Sequence, residues 1–147
     1  MKISDKSNPP RGVFTLLTYR GKELVDEYVD DNLIVSRGRT NVVRLLGGDG
    51  SGLNVANIGF GTNGYAASPG NTALSNAFVK SLDGHSYPDE FSVLFTFSLG
   101  SGEANGMQIS EFGLLTSSGL LHARKVRGGV LVKDSDLSLT GTWKLIY

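Results

Sequence analysis

The stretch EFSVLFTFSL places Phe91, Val93, Phe95, Phe97 and Leu99 on one side and Ser92, Thr96 and Ser98 on the other, with Leu94 the exception. Successive side chains of extended backbone point to opposite sides, so period two predicts a strand with one face in a core. The closing segment DLSLTGTWKLIY repeats the pattern, aligning Leu137, Leu139, Gly141, Trp143, Leu145 and Tyr147. It reads as a strand that still runs at Tyr147. Near the front, VFTLLTY, a turn at Arg20-Gly21 and KELVDEYV predict a hairpin, interrupted at Asp30-Asp31-Asn32 before LIVS. LNVANIGFG alternates and turns at Asn63-Gly64, and MQISEFGLL with LLHARKV predicts another hairpin across Thr116 to Gly119. TALSNAFVKSL fits a helical turn or a strand.

One segment, GRTNVVRLLGG, has helical spacing. Thr40 or Asn41 can cap it, Val42, Val43, Leu45 and Leu46 form an apolar side, and Gly47-Gly48 stop it. Residues 1–12 are polar, contain Pro9-Pro10 and show no period, which predicts an extended N-terminal arm that is either loose or ordered against a neighbouring subunit. Residues 13–147 form the remaining domain. Short strands between closely spaced turn signals predict an all-β fold: a single antiparallel β-sandwich or jelly-roll-like domain with one short helix.

Composition sharpens this picture. Twenty glycines among 147 residues suit many turns, and the length can support one core. Without cysteine there is no disulfide, thiolate metal site or cysteine nucleophile. Fourteen Lys and Arg balance fourteen Asp and Glu, so the chain lacks the field of a protein that neutralises phosphates, and nucleic acid is not expected as a partner. No apolar run reaches the roughly twenty residues of a membrane helix, and MKISDKSNPPRG lacks the apolar centre of a signal peptide. The expectation is a soluble protein made in a cytoplasm, with no membrane partner.

Candidate chemistry is sparse. GFGTNG has the spacing of a dinucleotide fingerprint, with Asp83 downstream, but the residues after Gly64 do not open a helix on which a pyrophosphate could sit. A glycine cluster at a β-turn is the better reading. His85 and His122 lack ligand neighbours at metal spacing, and His122 reads as a surface or interface residue. GDGSG and DSD depart from a calcium loop, and no nucleophile elbow is present. No cofactor, small-molecule substrate or enzymatic activity is therefore expected. Arg37, Arg39 and Arg44 form one group of positive charge; Arg124, Lys125, Arg127 and Lys133 form another, in which Arg124 and Lys125 point to opposite faces. They read as surface charge paired with Asp and Glu, or as charge that sets register between subunits.

From about residue 55 onward the order of segments resembles the virion-attachment domains of bacteriophage tail-collar, tail-fibre and baseplate proteins. The likeness lies in NIGFGTNG, NTALSNAFVK, the aromatic strand, ISEFGLLTSSGLLHARKV and LSLTGTWKLIY, with Ile109, Glu111, Gly113, Leu114, Gly119, Leu120 and Ala123 at the hairpin positions. The opening from Arg11 to Gly48 looks like small phage structural proteins and unlike a fibre. The resemblance implies a non-enzymatic virion component, tail, collar or baseplate piece or capsid decoration (cement) protein, that joins other virion proteins and copies of itself after synthesis in the bacterial host. The expected assembly interface comprises Pro9, Pro10, Arg37, Arg39, Arg44, Glu111, Arg124, Lys125 and Tyr147; a closing strand can present an unpaired edge, though the sequence does not say which strand is one. The alternative is a carbohydrate-binding β-sandwich whose stacking platform would be Trp143, Tyr65 and Tyr87; the face Trp143 shares with Leu139 and Leu145 points instead to core burial.

Overall fold

The structure, a computed structural model, describes residues 10–147. Pro9 and most of the expected arm lie outside the described residues. Nine strands follow in chain order: β1 (Arg11–Arg20), β2 (Glu23–Ile34), β3 (Val55–Gly61), β4 (Phe78–Ser81), β5 (Gly84–Asp89), β6 (Ser92–Leu99), β7 (Gln108–Thr116), β8 (Leu121–Val132) and β9 (Leu137–Ile146). One helix, α1 (Ser36–Leu46), separates β2 from β3. The first strand thus begins at Arg11, inside the segment expected to be an arm.

All nine strands join one antiparallel sheet in the order β4-β3-β7-β8-β2-β1-β9-β6-β5. The expected β content, antiparallel pairing and single short helix are all present. The hydrogen bonding describes one curled sheet. In a flat sheet, β3 and β6 would lie roughly 29 Å apart at the usual strand spacing, yet the rings of Phe60 on β3 and Phe97 on β6 are 6.2 Å apart. The sheet therefore bends into a half-barrel. Between the two edge strands, the Leu82 N–H bonds to the Ala56 carbonyl at 3.0 Å and the Asp83 N–H to the Thr96 carbonyl at 2.8 Å, so a short link touches both ends of the sheet.

The concave face holds the core. Phe14 sits at its centre, 5.0 Å from Trp143, 4.8 Å from Phe112 and 5.8 Å from Phe97 between ring centroids. The alternations in β6 and β9 place Phe95, Phe97, Leu99, Leu139, Trp143 and Leu145 there. Two ends depart from the pattern: Phe91 precedes β6 and is exposed, and Tyr147 follows β9 and is partly exposed. Gly141 makes room for Phe97, whose ring occupies the place of a Cβ at that position.

Three sequence expectations are corrected. Asp30-Asp31-Asn32 does not interrupt the first hairpin, since β2 runs on to Ile34 and pairs with β1 from Glu23 to Asn32. Strand β9 is no edge: it lies between β1 and β6, and the edges are β4 and β5. Helix α1 begins at Ser36 without a side-chain cap and turns Gly38 and Asn41 inward, leaving Val43, Leu45 and Leu46 exposed. The reason is Gly38: its bare α-carbon lies against the His122 carbonyl, so the helix meets β8 through backbone instead of its apolar side. TALSNAFVKSL resolves into loop followed by β4.

Candidate functional site

Glu111 and Arg124 stand on β7 and β8, on the face of the sheet away from the aromatic core. Here the strands carry glycines: Gly59 and Gly61 on β3, and Gly113 on β7 opposite Arg124. Leu74, from the loop joining β3 to β4, fills the space over Gly59 and Gly113, and the Glu111 side chain fills the space over Gly61. The glycines of GFG thus belong to a strand and make room for side chains; they do not form a β-turn. No helix opens after them.

Arg124 Nε donates to Glu111 Oε1 at 2.8 Å, with side chains 1% and 0% exposed. Glu111 Oε2 accepts the backbone N–H groups of Asn63 at 2.9 Å and Ser75 at 2.8 Å, the two flanks of the β3–β4 loop. Arg124 completes the clamp. Its Nη1 donates to Asn71 Oδ1 at 3.0 Å, and its Nη2 donates to the carbonyls of Asn63 and Tyr65 at 3.0 and 3.1 Å. Burying two charges is costly unless their remaining donors and acceptors are also engaged; here the loop engages them. Glu111 thus accepts three hydrogen bonds and Arg124 donates four, all within the chain. Within the chain the two interface candidates are buried and form an internal clamp.

Lys125 points to the other face, as strand alternation requires. Its Nζ donates to Asp30 Oδ2 at 2.6 Å and the Asp31 carbonyl at 2.8 Å, and lies 5.6 Å from the Tyr28 ring centroid. Hydrogen bonding from Lys125, then from the Asp31 N–H, holds the Asp30 carboxyl below its ordinary range. Arg127 repeats the contact with Asp26 at 3.0 Å. These pairs stitch β2 to β8, whose backbone ladder spans Leu33 and Ile34 alone. Lys125 is therefore largely internal as well. Lys133 is buried, donating to the Ser101 and Asp134 carbonyls and Asn105 Oδ1, so the second basic group is not a surface patch.

Tyr147 lies at an apolar cleft of about 280 Å³ bordered by Val42 and Leu45 of α1, Tyr87, Phe95 and both histidines. Its hydroxyl is 3.4 Å from His122 Nε2, and burial raises its pKa. His122 is 3% exposed, against the surface position expected for it, and burial pushes its pKa down to about 4. Its Nδ1 has no hydrogen-bond partner among the described residues. Trp143 is wholly buried, which removes it from any stacking platform, while Tyr65 and Tyr87 are exposed.

The remaining candidates stay outside. Pro10 is half-buried just before β1, and Arg37, Arg39 and Arg44 are exposed on α1. Sequence reasoning missed Asn63, Ser75 and Asn71 as clamp partners; the one available signal was a buried-strand pattern in which Glu111 interrupts apolar residues. Among the described residues, no three His, Cys, Asp or Glu side chains gather as a metal site requires, and no helix is long and apolar enough to cross a membrane. Compared with known proteins, the chain matches no family model, no curated protein and no solved structure.

Proposed function

We propose that this chain is a structural module of a bacteriophage particle, acting by assembly with other virion proteins and not by catalysis. The observation that carries the reading is the clamp. Six of the seven hairpin residues on which the phage resemblance rests have architectural work: Ile109, Leu114 and Ala123 lie in the core, Glu111 holds the β3–β4 loop, Gly113 lies beneath Leu74, and Gly119 takes the turn with φ +91°. A motif spent on fixing a loop across a sheet suits a rigid building block. Its surface suits contact: Val29, Val43, Leu46, Val130 and Val132 are each more than half exposed, and exposed apolar groups favour partner surfaces where they cluster. Tail, collar, baseplate and capsid decoration are the places such a module takes.

The test is quantitative mass spectrometry of purified particles, with the major capsid and tail-tube proteins as internal references. Abundance near that of the capsid protein means decoration, and a handful of copies means tail, collar or baseplate. Absence from the particle overturns the proposal.

A further inference from the structure

The carboxylates of β2 divide into two sets by alternation. Asp26 and Asp30, on the side of Tyr28, are engaged by Arg127 and Lys125. Glu27 and Asp31 point the other way, opposite Leu17 and Val13 of β1, and form no ion pair with any described residue. Val29 lies between Glu27 and Asp31 on this outer face and is 58% exposed; Leu24 and Val25, at the register shift near the hairpin turn, are nearly half exposed. The result is an apolar strip edged with unpaired negative charge.

Helix α1 is its counterpart in charge. Arg37, Arg39 and Arg44 form no ion pair with any described residue, as is also true of Arg11, Lys22 and Lys133, whereas Arg20, Lys80, Arg124, Lys125, Arg127 and Lys144 all do. Val43 and Leu46 are 65% and 83% exposed among them. The helix itself contains no acidic residue, and Asp49 is the sole carboxylate bordering the groove along Arg39, Val43 and Arg44. The two surfaces cannot meet within one molecule, because α1 follows β2 after Val35 alone and Gly38 fixes its inner side on β8.

We infer that the exposed face of α1 docks on the outer face of β2 of a second copy of this chain, with the arginines set against Glu27 and Asp31. The charges are complementary and the centres of both surfaces are apolar. The contact joins two different patches, so it is heterologous. Repetition closes a ring or extends a filament. This inference deepens the assembly reading and rests on it, but it concerns contacts between identical copies.

The experiment is sedimentation velocity of the purified full chain over a range of protein and salt concentrations, for wild type, R39E/R44E, E27R/D31R and an equimolar mixture of the two variants. All four altered residues are exposed and free of internal ion pairs, and circular dichroism verifies folding of each variant. Wild type is expected to rise above the 15.6 kDa monomer mass with concentration and to fall back in high salt, where screening shortens the reach of the charges. Each variant alone is expected to remain monomeric, since like charges then face each other. The mixture is expected to regain association, because the reversed helix meets the reversed strand at one contact and the unaltered pairing is restored at the other. A monomeric wild type, variants that associate like wild type, or a mixture that stays monomeric overturns the inference. A wild type that stays monomeric but sediments with phosphatidylglycerol vesicles also overturns it, assigning the helix to an anionic surface. Particle stoichiometry is measured separately, so loss of the self-contact and loss of the virion reading are distinguishable.

Discussion

Glu111 faces Gly61 across the β3–β7 ladder, and its carboxylate occupies the space that any side chain at Gly61 would need. That vacancy lets Oε2 reach the N–H groups of Asn63 and Ser75 while Oε1 meets Arg124. Removing one partner of a buried pair leaves the other charge unpaired, at a cost of about 3–5 kcal/mol. Glu111→Ala and Arg124→Ala are each expected to destabilise by that order in urea unfolding, with faster hydrogen exchange at Asn63 and Ser75. Glu111→Leu combined with Arg124→Leu is expected to recover only part of the loss, because the two loop N–H groups remain without an acceptor.

His122 gives stability a pH dependence. Its folded pKa of about 4 lies below its ordinary value of 6.5, so the unfolded chain binds the proton more readily. Its contribution is fully present above pH 6.5, falls as the pH drops toward 4 and changes no further below that; by linkage the whole effect is about 3 kcal/mol. His122→Gln is expected to flatten this window in unfolding midpoints measured from pH 7 to 4. An unchanged slope would show that other groups carry the dependence.

Gly38→Ala reverses the usual rule for helices. In an open helix interior Ala is favoured over Gly by about 1 kcal/mol, but a Cβ here would overlap the His122 carbonyl oxygen. Overpacking of that kind costs about 1–3 kcal/mol. Thermal unfolding is expected to show destabilisation, with Gly47→Ala, where no atom lies closer than 3.7 Å to the new Cβ, as the control.

Gly141→Ala probes the curl of the sheet. The added methyl would overlap the Phe97 ring, which stacks on Phe14 of β1 and meets Phe60 from β3 at a steep angle. A loss of about 1–3 kcal/mol is expected from displaced packing. Shifted aromatic proton resonances of both Phe14 and Phe60 would locate the disturbance in the core.

Alternation made β6 and β9 legible because their inner faces meet only core, and Trp143 followed from its register with Leu139 and Leu145. Strand β7 is buried on both faces, one by the core and one by the β3–β4 loop. There a polar residue such as Glu111 gives no sign of which distant loop will bond it. Helix α1 was legible as a helix but not in its orientation: contact through Gly38 leaves Val43 and Leu46 of its apolar side exposed. The sheet order was hidden for a related reason. Pairing between distant strands is set by tertiary packing, so a terminal strand such as β9 need not be an edge.

The place of β9 also governs when the fold can form. Arg11 pairs with Ile146, and Phe14 pairs with Trp143, so the first strand finds one of its two neighbours only after residues 137–146 have left the ribosome. Until then the β1–β2 hairpin and β6 have no common partner, and the aromatic cluster lacks Trp143. Contacts so distant in sequence slow folding and leave apolar strands waiting. Ribosome-bound chains halted before Leu137 are therefore species without the finished half-barrel.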